Sequence, residues 1–172
     1  MKTAPSTKRL RQICVFSLFG AIMYLSAQID IIPNVHQLSL FILVLTCVYR
    51  AKALIPIYLY VFLEGLMGGF NLWWYPYLYI WAVMWLFAMA IPRNVSKRNF
   101  VLLCVFACSL HGILFGILYS PSECYAMFGG DWSMTYSWII AGLPFDIIHC
   151  VSNGLHALLA LPLINVLQKI DK

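Results

Sequence analysis

The chain has 172 residues, 63% of them hydrophobic and only 10% charged, where a water-soluble domain is about 45–50% apolar and about 25% charged. A water-soluble fold of this size cannot hide so much apolar surface, so lipid is part of its solvent and one compact transmembrane domain over 1–172 is the expected organisation. The net charge of +5 is not a nucleic-acid signal, because the bases sit in short clusters between apolar runs, where membrane topology is written.

A membrane span needs roughly 20 apolar residues. In chain order, a basic tail over 1–11 precedes a first span at 12–29. Leu25-Ser26-Ala27 resembles a signal-peptidase site, but the run from Ile13 to Ile29 is long enough to be kept as a helix. Further spans are expected at 35–49, 53–70, 75–91 and 99–119. The last apolar run, 136–167, exceeds one straight helix. Pro144 suits a first helical turn, so the sixth span is expected to start near Leu143, with 136–142 as a cap or short half-helix. The fold class is therefore all-α, a bundle of about six transmembrane helices.

This division places Lys2, Lys8, Arg9 and Arg11, then Arg50 and Lys52, then Arg93, Lys97 and Arg98, and finally Lys169 and Lys172 on one side. The opposite side carries Asp30, Glu123 and Asp131. By the positive-inside rule the basic side is cytoplasmic, which gives a multi-pass plasma-membrane protein with both termini inside. Cys14, Cys47, Cys104, Cys108 and Cys150 lie in apolar runs and read as packed thiols, while Cys124 falls in a polar loop.

Ionisable groups at membrane depth are costly and usually face a cavity or a partner. Glu64, His111, Asp146, His149 and Asn153 stand out, all in the outer half. Asp146, His149, Asn153 and His156 are spaced three, four and three apart, on one helix face. That face reads as the polar wall of an outward-facing binding cavity; the plainer alternative is hydrogen bonding that glues helices together. Gly142 and Gly154 flank it and would let neighbours approach. Trp73, Trp74 and Tyr75 suit an interfacial belt. Tyr77 and Trp81 lie deeper and could stack on a flat ring, with Tyr119, Tyr125 and Trp132 as a roof.

Cys104, Cys108 and His111 share a helix face and form the one metal-like spacing, against which stands simple packing of small thiols. No metal or other cofactor is assigned. The chain lacks H-E-x-x-H, G-x-S-x-G and C-x-x-C motifs and offers no evident nucleophile, so it is read as non-enzymatic. It also lacks a G-x-x-x-x-G-K-[ST] loop, so any pumping would need energy from another subunit.

Ala141-Gly142-Leu143-Pro144-Phe145-Asp146-Ile147-Ile148-His149 followed by Asn153, together with Ala53-Leu54-Ile55-Pro56 and His111-Gly112 with Phe115-Gly116, resembles the substrate-binding S components of energy-coupling-factor (ECF) vitamin transporters. The resemblance implies a six-helix binder that captures a vitamin-like micronutrient outside. It also implies a membrane coupling (T) subunit and two cytoplasmic ATPases as partners, with toppling in the bilayer for release. In that family an A-x-x-x-A pair on the first helix contacts the coupling subunit; here the matching positions are Ser17 and Ala21, a departure at the first. The expected pocket is Glu64, Tyr77, Trp81, His111, Asp146, His149 and Asn153. Without a buried Lys or Arg it suits a flat, neutral or cationic, nitrogen-rich molecule. A membrane scaffold, or an intramembrane metal carrier or enzyme, is the rival reading.

Overall fold

The computed structural model describes residues 7–29 and 34–171. Lys2, Asp30 and Lys172, and the first part of the basic tail, lie outside them. The described residues are helical with no strand: α1 (Thr7–Gln28), α2 (Leu38–Tyr49), α3 (Leu54–Gly68), α4 (Tyr77–Ala90), α5 (Lys97–Ile113), α6 (Phe115–Ala126), α7 (Trp132–Ala157) and α8 (Ala160–Asp171). Short 3-10 turns occupy Arg50–Ala53 and Leu72–Trp74. Four helical stretches are long and apolar enough to cross a membrane, at 7–28, 38–68, 97–126 and 132–157. Large apolar side chains such as Leu18, Phe62, Leu86, Phe106, Ile117 and Val151 face outward, as they do when lipid surrounds the fold.

The centre of the molecule is α2. Leu38, Leu40, Ile42, Leu43, Val44 and Leu45 are all 2% exposed or less, because α1, α4, α5, α7 and α8 surround the helix. Its 12 residues span about 18 Å, well short of the hydrocarbon thickness. Half-buried non-helical backbone at 34–37 precedes it. The chain leaves α2 through Arg50 at φ +56, a left-handed conformation that costs a non-glycine residue about 1–2 kcal/mol. The turn is held by contacts to α4. The Arg50 guanidinium donates to the Met89 carbonyl at 3.0 Å, and Trp85 Nε1 donates to the Arg50 carbonyl at 3.1 Å.

The ends of the later helices differ from the sequence reading. The helix at 97 continues with one irregular residue, Leu114, to Ala126, so Glu123 and Cys124 are helical and buried rather than in a loop. Pro121 sits inside α6 and cannot donate to the Ile117 carbonyl; the Ser120 hydroxyl donates to it instead at 2.7 Å. Residues 136–142 are neither cap nor half-helix. Helix α7 begins at Trp132, because Gly129 (φ +57) and Gly130 (φ +91) make the left-handed turn and Asp131 caps the new helix. The Asp131 carboxylate accepts from the Ser133 and Met134 amides at 2.8 and 3.2 Å. Asp131→Ala is expected to lower unfolding free energy by about 1 kcal/mol, and a melting curve of the purified protein checks it. The break in the long run falls at Leu158-Leu159, not near Leu143. Pro162 occupies the first turn of α8, where its missing N–H costs nothing, but its ring blocks a helix continuing from 158.

Candidate functional site

Helices α5 and α7 pack backbone to backbone because both carry glycines at the crossing. A Cβ on Gly112 would lie 2.7 Å from the Cys150 amide nitrogen and from the His149 carbonyl carbon. Gly154 lies similarly close to Ser109. This approach brings His111 of α5 and His149 of α7 to a ring separation of 6.4 Å. Trp81 of α4 closes the group at 5.6 Å from His111. Phe115 lies 4.9 Å from His149 and 5.9 Å from Trp81.

The hydrogen bonding of this cluster is uneven. His111 is fully buried, with Nε2 3.1 Å from the Ile80 carbonyl and Nδ1 3.4 Å from the Ser39 hydroxyl. A carbonyl only accepts, so Nε2 carries the proton and Nδ1 takes the hydroxyl hydrogen. His149 is equally buried, yet neither ring nitrogen has a hydrogen-bond partner among the described residues. The same holds for both amide atoms of Asn153, one turn further along α7, and for Trp81 Nε1. Each unsatisfied buried group costs about 1–3 kcal/mol. Three side chains in one region therefore present donors and acceptors that the described protein does not use.

A cavity of about 240 Å³ lies one turn along α7 from His149, lined by Phe115, Tyr119, Trp138, Gly142 and Asp146 among others. Asp146 is 5% exposed, and its carboxylate accepts from the Gly116 amide at 3.1 Å. A Cβ at Gly116 would meet that carboxylate, which would have to shift to admit it. Phe115 belongs to both places: it lines the cavity and packs on His149. It stands between the open space and the rings of His149 and Trp81. Among the described residues, no Lys or Arg lines the cavity.

No family model, curated protein or solved structure gives a significant match to this chain. Its functional reading rests on the geometry of the chain itself.

Of the residues expected from sequence, Trp81, His111 and His149 meet directly. Asn153 continues the same α7 face, and Asp146 lines the cavity one turn before His149. Tyr77 packs on Trp81 at 5.7 Å and Tyr119 at 6.4 Å. Glu64 stands to one side: its carboxylate takes the Gln28 amide of α1 at 3.4 Å, and Tyr60 makes the α3 ring contact to Trp81 at 5.8 Å. Tyr119 does roof the cavity, held by a hydrogen bond from its hydroxyl to the Trp73 carbonyl at 2.6 Å. Tyr125 and Trp132 do not; they are 71% and 55% exposed and pair with each other. Gly142 admits no close neighbour, having nothing within 4 Å of a built Cβ; it faces the cavity. Ser17 lies exposed on α1 and Ala21 is half-buried, while Gly20 turns inward onto Leu59.

Two residues at the site carry no signal in the sequence reading, His36 and Trp138. His36 precedes α2 and sets its ring 4.9 Å from His149. Trp138 lies four residues before Gly142 and eight before Asp146, on the same helical face. Among the described residues, no three His, Cys, Asp or Glu side chains converge as metal ligands, and His111 is committed to Ile80 and Ser39 rather than to Cys104 and Cys108.

Proposed function

We propose that this chain is the substrate-binding S component of an ECF-type importer, capturing a vitamin-like micronutrient from outside and working with a separate coupling subunit and two ATPases. The observation that carries the reading is the set of unsatisfied polar atoms on Trp81, His149 and Asn153, buried in a region that meets an aromatic cavity at Phe115. A protein that keeps such atoms at a cost of about 1–3 kcal/mol each has a use for them, and a bound molecule supplies it. The donor and acceptor edges, the rings of Phe115 and Tyr119 and the lone carboxylate of Asp146 favour a flat, neutral or cationic, nitrogen-rich ligand. Glu64 belongs to the outer edge of this site, beyond Tyr60.

The topology that goes with this function has six crossings: α1, α2, α3, α4, α5 with α6, and α7 with α8. The sharp turn at Arg50 divides the 38–68 stretch into two crossings, and the Leu72–Trp74 turn lengthens α4. All bases then face the cytoplasm, with both termini. The exposed Ser17 and the half-buried Ala21 on α1 are where the coupling subunit would dock.

A thermal-shift screen of the detergent-purified protein against vitamins, nucleobases and transition metals tests this. A ligand bound only by the folded state stabilises it by about 2.7 kcal/mol at a hundredfold excess over Kd. One organic compound is expected to raise the melting temperature by several degrees. Gly142→Val, which fills the cavity from an open position, should fold normally and lose that shift. A response to metals alone, or to nothing in a broad panel, would replace this reading with the metal-carrier or scaffold one.

A further inference from the structure

At the opposite end of the bundle lies a second cavity of about 400 Å³. Arg50 from the α2–α3 turn, Arg93 from the α4–α5 connection and Lys97 from the start of α5 converge on it. Asn165 and Gln168 of α8 add uncharged polar groups. No Asp or Glu lines it, and none of the three bases forms an ion pair among the described residues. The carboxylate nearest in sequence to this part of α8, Asp171, is taken by Lys8 at 3.7 Å and Gln12 at 3.3 Å. The positive end of the α5 dipole lies at Lys97 beside the same space, with Ser96 capping the Asn99 amide. Bases that merely mark topology stand apart in water; these three surround one space.

The floor of that space is apolar, formed by Val48, Ile91, Phe100 and Ile164. Ile91 also lines a second, apolar groove of about 200 Å³ between α4 and α5, walled by Phe87, Leu103, Phe106 and Leu110. That groove follows α5 from Leu103 to Leu110, about 10 Å along the helix axis. A cationic cup and an apolar furrow thus meet at Ile91.

We infer that this cup and groove bind one anionic glycerophospholipid, with its phosphate among Arg50, Arg93 and Lys97 and an acyl chain along α4 and α5. The cup matches a phosphodiester in charge, and a free anion of any kind would leave the groove unexplained. The Arg50 guanidinium is already held by the Met89 carbonyl, so it meets the head group without further ordering. Basic pockets at the membrane boundary hold lipid head groups in this way, at about 1 kcal/mol for each cationic side chain. The site is remote from His149 and independent of the substrate.

Native mass spectrometry of the full chain, released from nanodiscs of phosphatidylcholine doped with phosphatidylglycerol, tests the inference. The protein should retain one phosphatidylglycerol in preference to phosphatidylcholine. Arg93→Gln with Lys97→Gln, both exposed positions, should lower that preference about tenfold or more. Ala90→Trp, from an exposed position on the groove, should reduce retention with all three bases intact. Equal retention of the two lipids, or a double variant that behaves as wild type, would overturn the inference and leave the basic cup to a protein partner. Displacement of the lipid by excess soluble glycerophosphoglycerol, with Ala90→Trp silent, would overturn it in favour of a free-anion site.

Discussion

Gly112→Ala is expected to destabilise the protein by about 1–3 kcal/mol and to weaken ligand binding at the same time. The added methyl would sit 2.7 Å from backbone atoms of Cys150 and His149. Backbone cannot rotate away as the end of a long side chain does, so α5 and α7 must separate. The separation moves His149 away from His111 and shifts Phe115, which packs on both. Gly142→Ala supplies the matched control, because a Cβ there meets nothing within 4 Å. Replacing a helical glycine by alanine in open space adds about 0.5–1 kcal/mol of stability. Opposite shifts of the two melting temperatures are therefore expected from chemically identical substitutions. If Gly112→Ala melted with the wild type, the close crossing of α5 and α7 would be wrong, and with it the juxtaposition of the two histidines.

That crossing is partly legible in the sequence. Gly112 and Gly116 share a face with His111 near them, and the α7 polar residues recur at helical spacing, so periodicity alone places both sets on inward faces. Periodicity does not say which inward faces meet. Glu64 has the same credentials as His149, a polar group deep in an apolar run, yet Gln28 on α1 answers it. Trp138 escapes the sequence reading for a local reason. Proline's preference for first turns points to a start near Pro144, while the stronger signal is Gly129-Gly130-Asp131, a left-handed turn leading into an N-cap. Proline marks where a helix can start; a capping carboxylate with two amide partners marks where one does. Cys124 and Glu123 are misplaced because the expected span ends at 119, whereas Ser120 serves the carbonyl that Pro121 abandons and the helix runs on to Ala126. His36 has no periodic signature at all, because irregular backbone rather than a helix carries it to His149.

Asn153→Leu separates a binding site from mere helix glue. If Asn153 held helices together, its removal would break a hydrogen bond and leave a partner exposed inside the bundle, a loss of about 1–3 kcal/mol. The amide instead has no partner among the described residues and is 1% exposed. Leucine has nearly its shape and carries no polar atoms, so the ligand-free protein should melt higher, by an amount corresponding to about 1–3 kcal/mol. The ligand-dependent shift should vanish in the same variant. Gain of stability with loss of function is the signature of a residue kept for a bound molecule. His149→Leu should behave alike, for its two ring nitrogens are equally unmatched, whereas His111→Leu should destabilise, since it strips the Ile80 carbonyl and the Ser39 hydroxyl of their partner. Melting curves of the three variants without ligand are enough to decide. Were Asn153→Leu and His149→Leu to fall with His111→Leu, the polar face of α7 would be structural, and the substrate would have to bind elsewhere.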